Sequence, residues 1–279
     1  MGTLYLVATP IGNLEDISAR ALRVLRESCL IAAEDTRHTR KLLQHYDIQT
    51  DVTSYHEHSK AHKLSQILSN LETGDVALVS DAGTPGLNDP GYELVQAALE
   101  QNFTVSPIPG PSAPIAALVA SGLPTHTFLY LGYLPRKSSE RRGLLEQSVE
   151  QPHTLIFLET PHRLISALVE LEDVLGDRQI AIARELTKLH EEIFRGTISE
   201  ARAYYTDHRP RGEFTLIISG HLPQEERWSV ERLNTALVAA SAQELPLSQI
   251  ASRLAAESGW PRREVYQMLI KLRSNNDES

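Results

Sequence analysis

The chain has 279 residues, 41% of them hydrophobic, with 27 Lys and Arg against 36 Asp and Glu and a formal net charge of −9. That length supports a large core and most naturally two domains. The acidic balance excludes indiscriminate attraction to naked nucleic acid, though not an RNA substrate met through local basic patches. No apolar run approaches the roughly 20 residues of a membrane span. The start, Met1-Gly2-Thr3-Leu4-Tyr5-Leu6-Val7, goes straight into a strand with no basic leader. The single cysteine, Cys29, forbids an internal disulfide and is expected as a small core residue. These features predict a cytoplasmic protein.

Residues 3–8 read as a strand ending in Thr9-Pro10-Ile11-Gly12-Asn13, and residues 17–26 carry helical periodicity. A second strand at 29–33 ends in Glu34-Asp35-Thr36-Arg37. Helix, strand and helix carry the chain to about residue 71. The apolar strand at 75–79 then empties into Ser80-Asp81-Ala82-Gly83-Thr84-Pro85-Gly86-Leu87-Asn88-Asp89-Pro90-Gly91, followed by a helix at 92–99. In that run the glycines let backbone approach a ligand, and Pro85 and Pro90 stiffen the path. A strand at 104–108 ends in Pro109-Gly110-Pro111-Ser112-Ala113, before a short helix at 115–120. The alternation implies a parallel sheet with helices on both faces. Its polar loops should therefore gather along the carboxyl edge of the sheet, where open α/β sheets bind ligands.

Ser121-Gly122-Leu123-Pro124-Thr125 marks a boundary. Beyond it, strands at 128–132, 153–158, 179–183, 191–196 and 214–219, with helices from 138 and at 161–175, predict a second α/β domain with a mixed sheet. From residue 223 the composition turns helical, with helices at 229–240, 247–256 and 262–273. The last two have helix-turn-helix spacing. The near-balance of charge in this tail favours a helical cap or accessory RNA-contact module over a DNA reader. The expected organisation is 1–121, 122–222 and 223–279. Two basic patches stand out, Arg37-His38-Thr39-Arg40-Lys41 and Arg136-Lys137 with Arg141-Arg142; each can equally be a solvated helix face.

The chain lacks the G-x-G-x-x-G dinucleotide fingerprint, the P-loop, H-E-x-x-H and G-x-S-x-G. His56-Glu57-His58 does not make a metal site, because adjacent strand positions point to opposite faces and no cysteine supports them. No metal is expected. Lysine-poor loops disfavour a polyphosphate ligand and suit a neutral or cationic nucleoside held by backbone groups and a few carboxylates.

Seven motifs occur in order: Thr9-Pro10-Ile11-Gly12-Asn13-Leu14, Ala33-Glu34-Asp35-Thr36-Arg37, Tyr55-His56-Glu57-His58, Ser80-Asp81-Ala82-Gly83-Thr84-Pro85, Pro109-Gly110-Pro111-Ser112-Ala113, Glu159-Thr160-Pro161-His162-Arg163 and Arg184-Glu185-Leu186-Thr187-Lys188. Together they resemble the tetrapyrrole-methylase superfamily over about residues 2–220, and most closely its branch of ribose-2′-O methyltransferases acting on a cytidine of small-subunit rRNA. The resemblance implies a two-domain α/β enzyme, with a parallel-sheet N-terminal domain, a mixed-sheet second domain and a small C-terminal helical module. It implies S-adenosylmethionine bound between the domains, a homodimer, and a decoding-centre cytidine of 16S rRNA in the 30S subunit as target. Carried over by motif, the cofactor should meet Pro10, Asp81, Ala82, Gly83, Thr84, Pro85, Ser112 and Ala113, with Leu158, Leu186, Gly212 and Thr215 from the second domain. Where relatives carry a bulky aliphatic residue after Gly-Thr-Pro, this chain has Gly86, which bears on the stiffness of the loop.

The implied reaction is in-line attack of a ribose 2′-hydroxyl on the sulfonium methyl, with positioning supplying most of the acceleration. His56, Glu57, Glu34, Asp35 and Lys188 have chemistry suited to a base or an alkoxide-stabilising dipole. Glu34 and Asp35 can instead cap the following helix, and Lys188 can pair with Glu185 or Glu191. Arg37, Arg40, Arg136, Arg163 and Arg184 are candidates for phosphate contacts, and Arg163 and Arg184 equally for ion pairs at the domain junction. The rival readings are a precorrin-type or diphthine-synthase-like methyltransferase on another substrate, and a non-catalytic RNA-binding protein that senses the cofactor.

Overall fold

The protein is described by a computed structural model that covers residues 2–56, 60–221, 228–241 and 245–277. It divides into two compact units, residues 1–221 and 222–279.

The first unit begins with β1 (Thr3–Val7), α1 (Ala19–Glu27), β2 (Leu30–Ala33), α2 (Thr36–His45), β3 (Val52–Ser54), α3 (Lys60–Thr73), β4 (Val76–Val79), α4 (Tyr92–Glu100) and β5 (Thr104–Ile108). The five strands form one sheet in the order β3-β2-β4-β1-β5, with every pair parallel. Strand alternation sorts the core onto two faces. Ile31, Ala33, Ala77 and Val79 pack against Ala21, Val24 and Leu25 of α1 and Leu42 and Leu43 of α2. Leu30, Ala32, Val76 and Leu78 face Ile67, Leu68 and Leu71 of α3 and Leu94 and Ala98 of α4. Strands buried on both faces explain the unbroken apolar runs. Cys29 departs from its expected core position: it precedes β2 and is exposed beside Gly74.

The chain continues through α5 (Ala113–Ser121), β6 (Phe128–Tyr133), α6 (Ser138–Gln147), β7 (Thr154–Glu159), α7 (Leu164–Leu175), β8 (Gln179–Arg184), β9 (Glu192–Thr197), α8 (Ile198–Asp207) and β10 (Phe214–Ile218). The second sheet has the order β6-β7-β10-β8-β9 and is mixed: β6 and β7 are parallel, the remaining pairs antiparallel. One face packs on α6, α7 and α8 through Leu145, Leu164, Leu168, Leu171, Ile198 and Tyr205. The other face, through Ile156, Ala181, Ala183 and Ile217, is covered by Ala117 and Leu118 of α5. Arg195 of β9 donates to the carbonyls of Ala120 and Ser121, which are among the last carbonyls of α5. Thus α5, which follows the first sheet in sequence, packs on the second.

In the second unit, α9 (Val230–Ser241), α10 (Leu247–Ser258) and α11 (Arg262–Asp277) share a core of Leu233, Leu237, Ile250, Leu254, Val265 and Leu269. The turn between α10 and α11 contains Gly259 at φ +67°, and the Trp260 indole donates to the Trp228 carbonyl at 2.8 Å. Among the described residues, no helix is long and apolar enough to cross a membrane.

Candidate active site

Because the first sheet is parallel, the loops after β1, β2, β4 and β5 emerge at one edge, as the alternation predicts. Thr9 N donates to Gly83 O at 2.9 Å and Gly83 N to Thr9 O at 3.0 Å, an antiparallel bridge that ties the loop after β4 to the loop after β1. Gly83 lies at φ +81°, which favours glycine. A Cβ on Gly110 would stand 2.9 Å from that of Ala8, so only a glycine lets the loop after β5 pass this close.

A cavity of about 250 Å³ opens between these loops and the edge of the second sheet. The first sheet contributes Ile11, Glu34, residues 81–84, residues 87–89 and residues 112–114. The second contributes Tyr130 and Tyr133 from β6, Leu158 and Glu159 from β7, and Glu213, Phe214 and Thr215 at the start of β10. Tyr130 and Tyr133 are three positions apart, and in a regular strand they would face opposite sides. A shift in the β6–β7 register between them, with Gly132 at φ +67°, brings both to the cavity.

The walls are strongly acidic. Glu34 Oε2 accepts from the Asp81 amide at 3.2 Å, while Asp81 Oδ1 accepts from the Asp35 amide at 3.0 Å. Burial pushes the Glu34 carboxyl up, against the Asp81 amide that favours its charged form. Asp89 is pushed up to about 6, first by burial and then by the Glu34 charge, with the Ser80 hydroxyl opposing the shift and Asp81 adding to it. Burial, helped by Tyr133 and Asp89, lifts Tyr130 to about 12. Glu159 has no exposed side-chain surface; its Oε1 accepts from the Thr160 amide at 2.6 Å and Arg163 Nε at 2.7 Å. Its Oε2 is buried with no hydrogen-bond partner among the described residues.

Of the positions expected at the cofactor, Asp81, Ala82, Gly83, Thr84, Ser112, Ala113, Leu158 and Thr215 line this cavity. Four do not. Pro10 lines a smaller neighbouring cavity with Leu14, His38 and Leu42, and Ile11 takes the place next to it in the larger one. Pro85 is buried. Leu186 packs against the face of the second sheet that α5 covers. Gly212, at φ +85°, lets the Glu185 carboxylate come within 2.4 Å of where a Cβ would be.

The candidate bases are also separated. Glu34 lines the cavity and an adjoining outer pocket, and His56 lines the outer pocket. Asp35 is the N-cap of α2, accepting from the Arg37 amide at 2.8 Å and pairing with the Arg37 guanidinium, which holds its carboxyl below the usual range. Lys188 Nζ sits between Glu185 at 3.0 Å and Glu213 at 3.1 Å. Glu57 lies outside the described residues.

Among the candidate phosphate contacts, Arg37 and Arg40 are exposed on α2, and Arg136 is exposed before α6. Arg163 is committed to Glu159 and the Leu134 carbonyl, and Arg184 to Glu192 and the Arg211 carbonyl. The expected 136–142 patch loses most of its charge: Arg141 is buried against Glu170, Arg142 pairs with Asp173 and Glu146, and Lys137 pairs with Glu140.

Sequence reasoning missed Tyr130 and Tyr133 as cavity residues, carried Asp89 and Glu213 only within longer segments, and read Glu159 only as part of a motif. The Asn-Asp-Pro-Gly turn carried a signal for Asp89, a carboxylate held in a stiff turn within the glycine-rich run. Nothing in the sequence of β6 announces its register shift.

The chain belongs to the family of tetrapyrrole (corrin/porphyrin) methylases, whose model matches residues 3–202. Within it, this chain is 48% identical to the ribosomal RNA small subunit methyltransferase I of a Synechocystis species, over 99% of this chain and 100% of that protein. It is 45% identical to the protein of the same name from Escherichia coli O157:H7, over 97% and 95% of the two chains. The solved structures show the fold. Uroporphyrin-III-C-methyltransferase from Thermus thermophilus superposes with a TM-score of 0.54 at 20% identity, over 78% of this chain and 94% of that one. A putative diphthine synthase from Entamoeba histolytica superposes with a TM-score of 0.58 at 17% identity, over 80% and 95%.

Proposed function

We propose that the chain is an S-adenosylmethionine-dependent methyltransferase of small-subunit rRNA, and that its acceptor is the ribose 2′-hydroxyl of a decoding-centre cytidine in 16S rRNA. The observation that carries this reading is the 48% identity, over 99% of the chain, to a relative named for small-subunit rRNA methylation. The cavity agrees with it chemically. Ile11, Leu87, Leu158 and the two tyrosines offer apolar and aromatic surface for a nucleoside. Glu34, Asp81, Asp89, Glu159 and Glu213 give the negative field that suits a sulfonium and an ammonium. The buried Glu159 Oε2, unpartnered among the described residues, is an acceptor that a ligand donor can satisfy. Bound there, the cofactor supplies a methyl group already activated on a positive sulfur.

The protein's own contribution is then orientation and charge. The Thr9–Gly83 bridge fixes the loop that faces the cofactor, and the register shift in β6 closes the opposite wall with Tyr130 and Tyr133. Such preorganisation converts a two-body encounter into a positioned one. In this reading the substrate is the assembled 30S subunit, whose shape offsets the weak general attraction of an acidic protein for RNA, and the enzyme works as a homodimer in the cytoplasm, where its substrate is.

The deciding experiment compares methyl transfer from labelled S-adenosylmethionine to intact small subunits, free rRNA and tetrapyrrole precursors. Label mapped to a cytidine 2′-oxygen is the expected result; label on a tetrapyrrole carbon, with none on RNA, overturns it.

A further inference from the structure

Beside the cofactor cavity lies an outer pocket of about 490 Å³, lined by Glu34, His56, Asn88, Asp89, Pro90, Tyr92 and Glu93. Glu34, Asn88 and Asp89 line both spaces, so the two adjoin through these side chains. A transferable methyl group in the inner space and an acceptor in the outer one would meet at this wall.

The other carboxylates near it are engaged. Asp35 caps α2 and pairs with Arg37. Glu34 holds the Asp81 amide, and Asp81 holds the Asp35 amide. The Asp89 carboxylate is held by no backbone amide of a described residue; the Ser80 hydroxyl is the group that favours its charged form. Its backbone is fixed between Asn88 at φ +64°, Pro90, and Gly91 at φ +152°. The Asn88 side chain in turn lies against Gly132, where a Cβ would stand 2.5 Å from Nδ2. Tyr92, 65% exposed, presents an aromatic ring at the rim of the outer pocket, a surface on which an unstacked base can lie.

We propose that Asp89 is the catalytic residue that takes the proton from the acceptor hydroxyl, at the wall between the cofactor cavity and an outer pocket that receives the acceptor nucleotide. This rests on the methyltransferase reading given above. The hydroxyl oxygen forms the new C–O bond, the sulfonium C–S bond breaks to leave a neutral thioether, and the hydroxyl proton passes to Asp89 and then to water. A base titrating near 6 is largely ionised at neutral pH and remains basic enough to accept a proton. The charged and titratable groups facing it are Glu34, Asp81, His56 and Glu93 from the first sheet's loops and α4, and Tyr130 and Tyr133 from β6.

The test uses the full chain with labelled donor and intact small subunits. Asp89→Asn is expected to lower single-turnover transfer at least about 100-fold, the lower range for a positioned base, and to abolish the acid limb of the pH profile. Calorimetric affinity for S-adenosylhomocysteine, a readout independent of transfer, is expected to fall far less than the rate, since four other carboxylates remain in the cavity, and Asp89→Glu to recover part of the rate. Transfer by Asp89→Asn at about the normal rate, or a loss of cofactor-product affinity that accounts for the whole rate loss, overturns the role of Asp89 and leaves the functional reading standing. Failure of the unmodified chain to methylate RNA overturns both.

Discussion

Glu34 and Asp81 are cross-linked through the backbone of their loops. Glu34 accepts the Asp81 amide at 3.2 Å, and Asp81 accepts the amide next to Glu34, that of Asp35, at 3.0 Å. Two carboxylates at the ends of adjacent parallel strands, β2 and β4, thus act as staples for the edge of the sheet. Their negative charge is retained in the cavity, where it is felt by Asp89.

Replacing Glu34 with Gln keeps an acceptor oxygen for the Asp81 amide and removes one of the charges that raise Asp89. The Asp89 carboxyl should therefore titrate lower, and the acid limb of methyl transfer should move to lower pH. Glu34→Ala leaves the amide unsatisfied and is expected to cost about 1–3 kcal/mol in urea unfolding. An acid limb that stays in place in Glu34→Gln would show that the titrating group is elsewhere.

Asp89 also makes stability depend on pH. Its folded-state value, about 6, lies above the roughly 3.9 of an unfolded Asp. The folded state therefore binds the proton more tightly, and the stability this confers is present below about pH 4 and lost as pH rises through 6. Asp89→Asn should be more stable than the unmodified chain at pH 7, by about 1 kcal/mol after allowance for solvent access. The two should converge near pH 4. Thermal unfolding at the two pH values measures this without any substrate.

Arg163 and Arg136 should separate stability from RNA contact. Arg163→Met strands the fully buried Glu159 and is expected to cost about 3–5 kcal/mol. Arg136, exposed and without an ion pair to a described residue, should tolerate Arg136→Glu within about 0.5 kcal/mol. That same substitution should raise the KM for small subunits several-fold with kcat little changed. Equal KM for the two proteins would remove Arg136 from the RNA surface.

Gly132→Ala should disturb the cavity from its far wall. The residue lies at φ +67°, where a Cβ would also press on Asn88, so a cost of about 1–2 kcal/mol is expected from the left-handed backbone alone, together with weaker binding of S-adenosylhomocysteine. Gly143, inside α6 with open space around a Cβ, is the control: Gly143→Ala should gain about 0.5–1 kcal/mol. Differential scanning calorimetry and titration calorimetry read both effects.

The strands of the first sheet and the loops that follow them were legible because apolar runs ending in Gly, Pro and Asp have few other uses. In the second half, α8 was missed although Thr197-Ile198-Ser199-Glu200 spells its capping box, which the structure forms on both sides. The 136–142 patch misled for a different reason: the partners of Arg141 and Arg142 lie about 30 positions away on α7, and local charge counting does not see them. Gly86 bears on the stiffness of its loop in a way composition alone does not show. It sits at φ +82° with nothing within 4 Å of a would-be Cβ, so space is plentiful there and backbone handedness is the constraint. The cavity wall formed by Tyr130 and Tyr133 depends on a register shift that no local pattern encodes.

The placement of α5 has a consequence for how the molecule comes apart. A cut between residues 121 and 122 would leave the first fragment with Ala117 and Leu118 facing water, and the second with a bare apolar sheet face and Arg195 deprived of the carbonyls it binds. A cut one helix earlier, after Pro111, would instead keep α5 on the sheet face it covers and Arg195 on its carbonyls. The physical seam between the halves thus runs ahead of α5, and a second-half fragment that begins at Ser112 is expected to keep its amide protection where one that begins at Gly122 loses it.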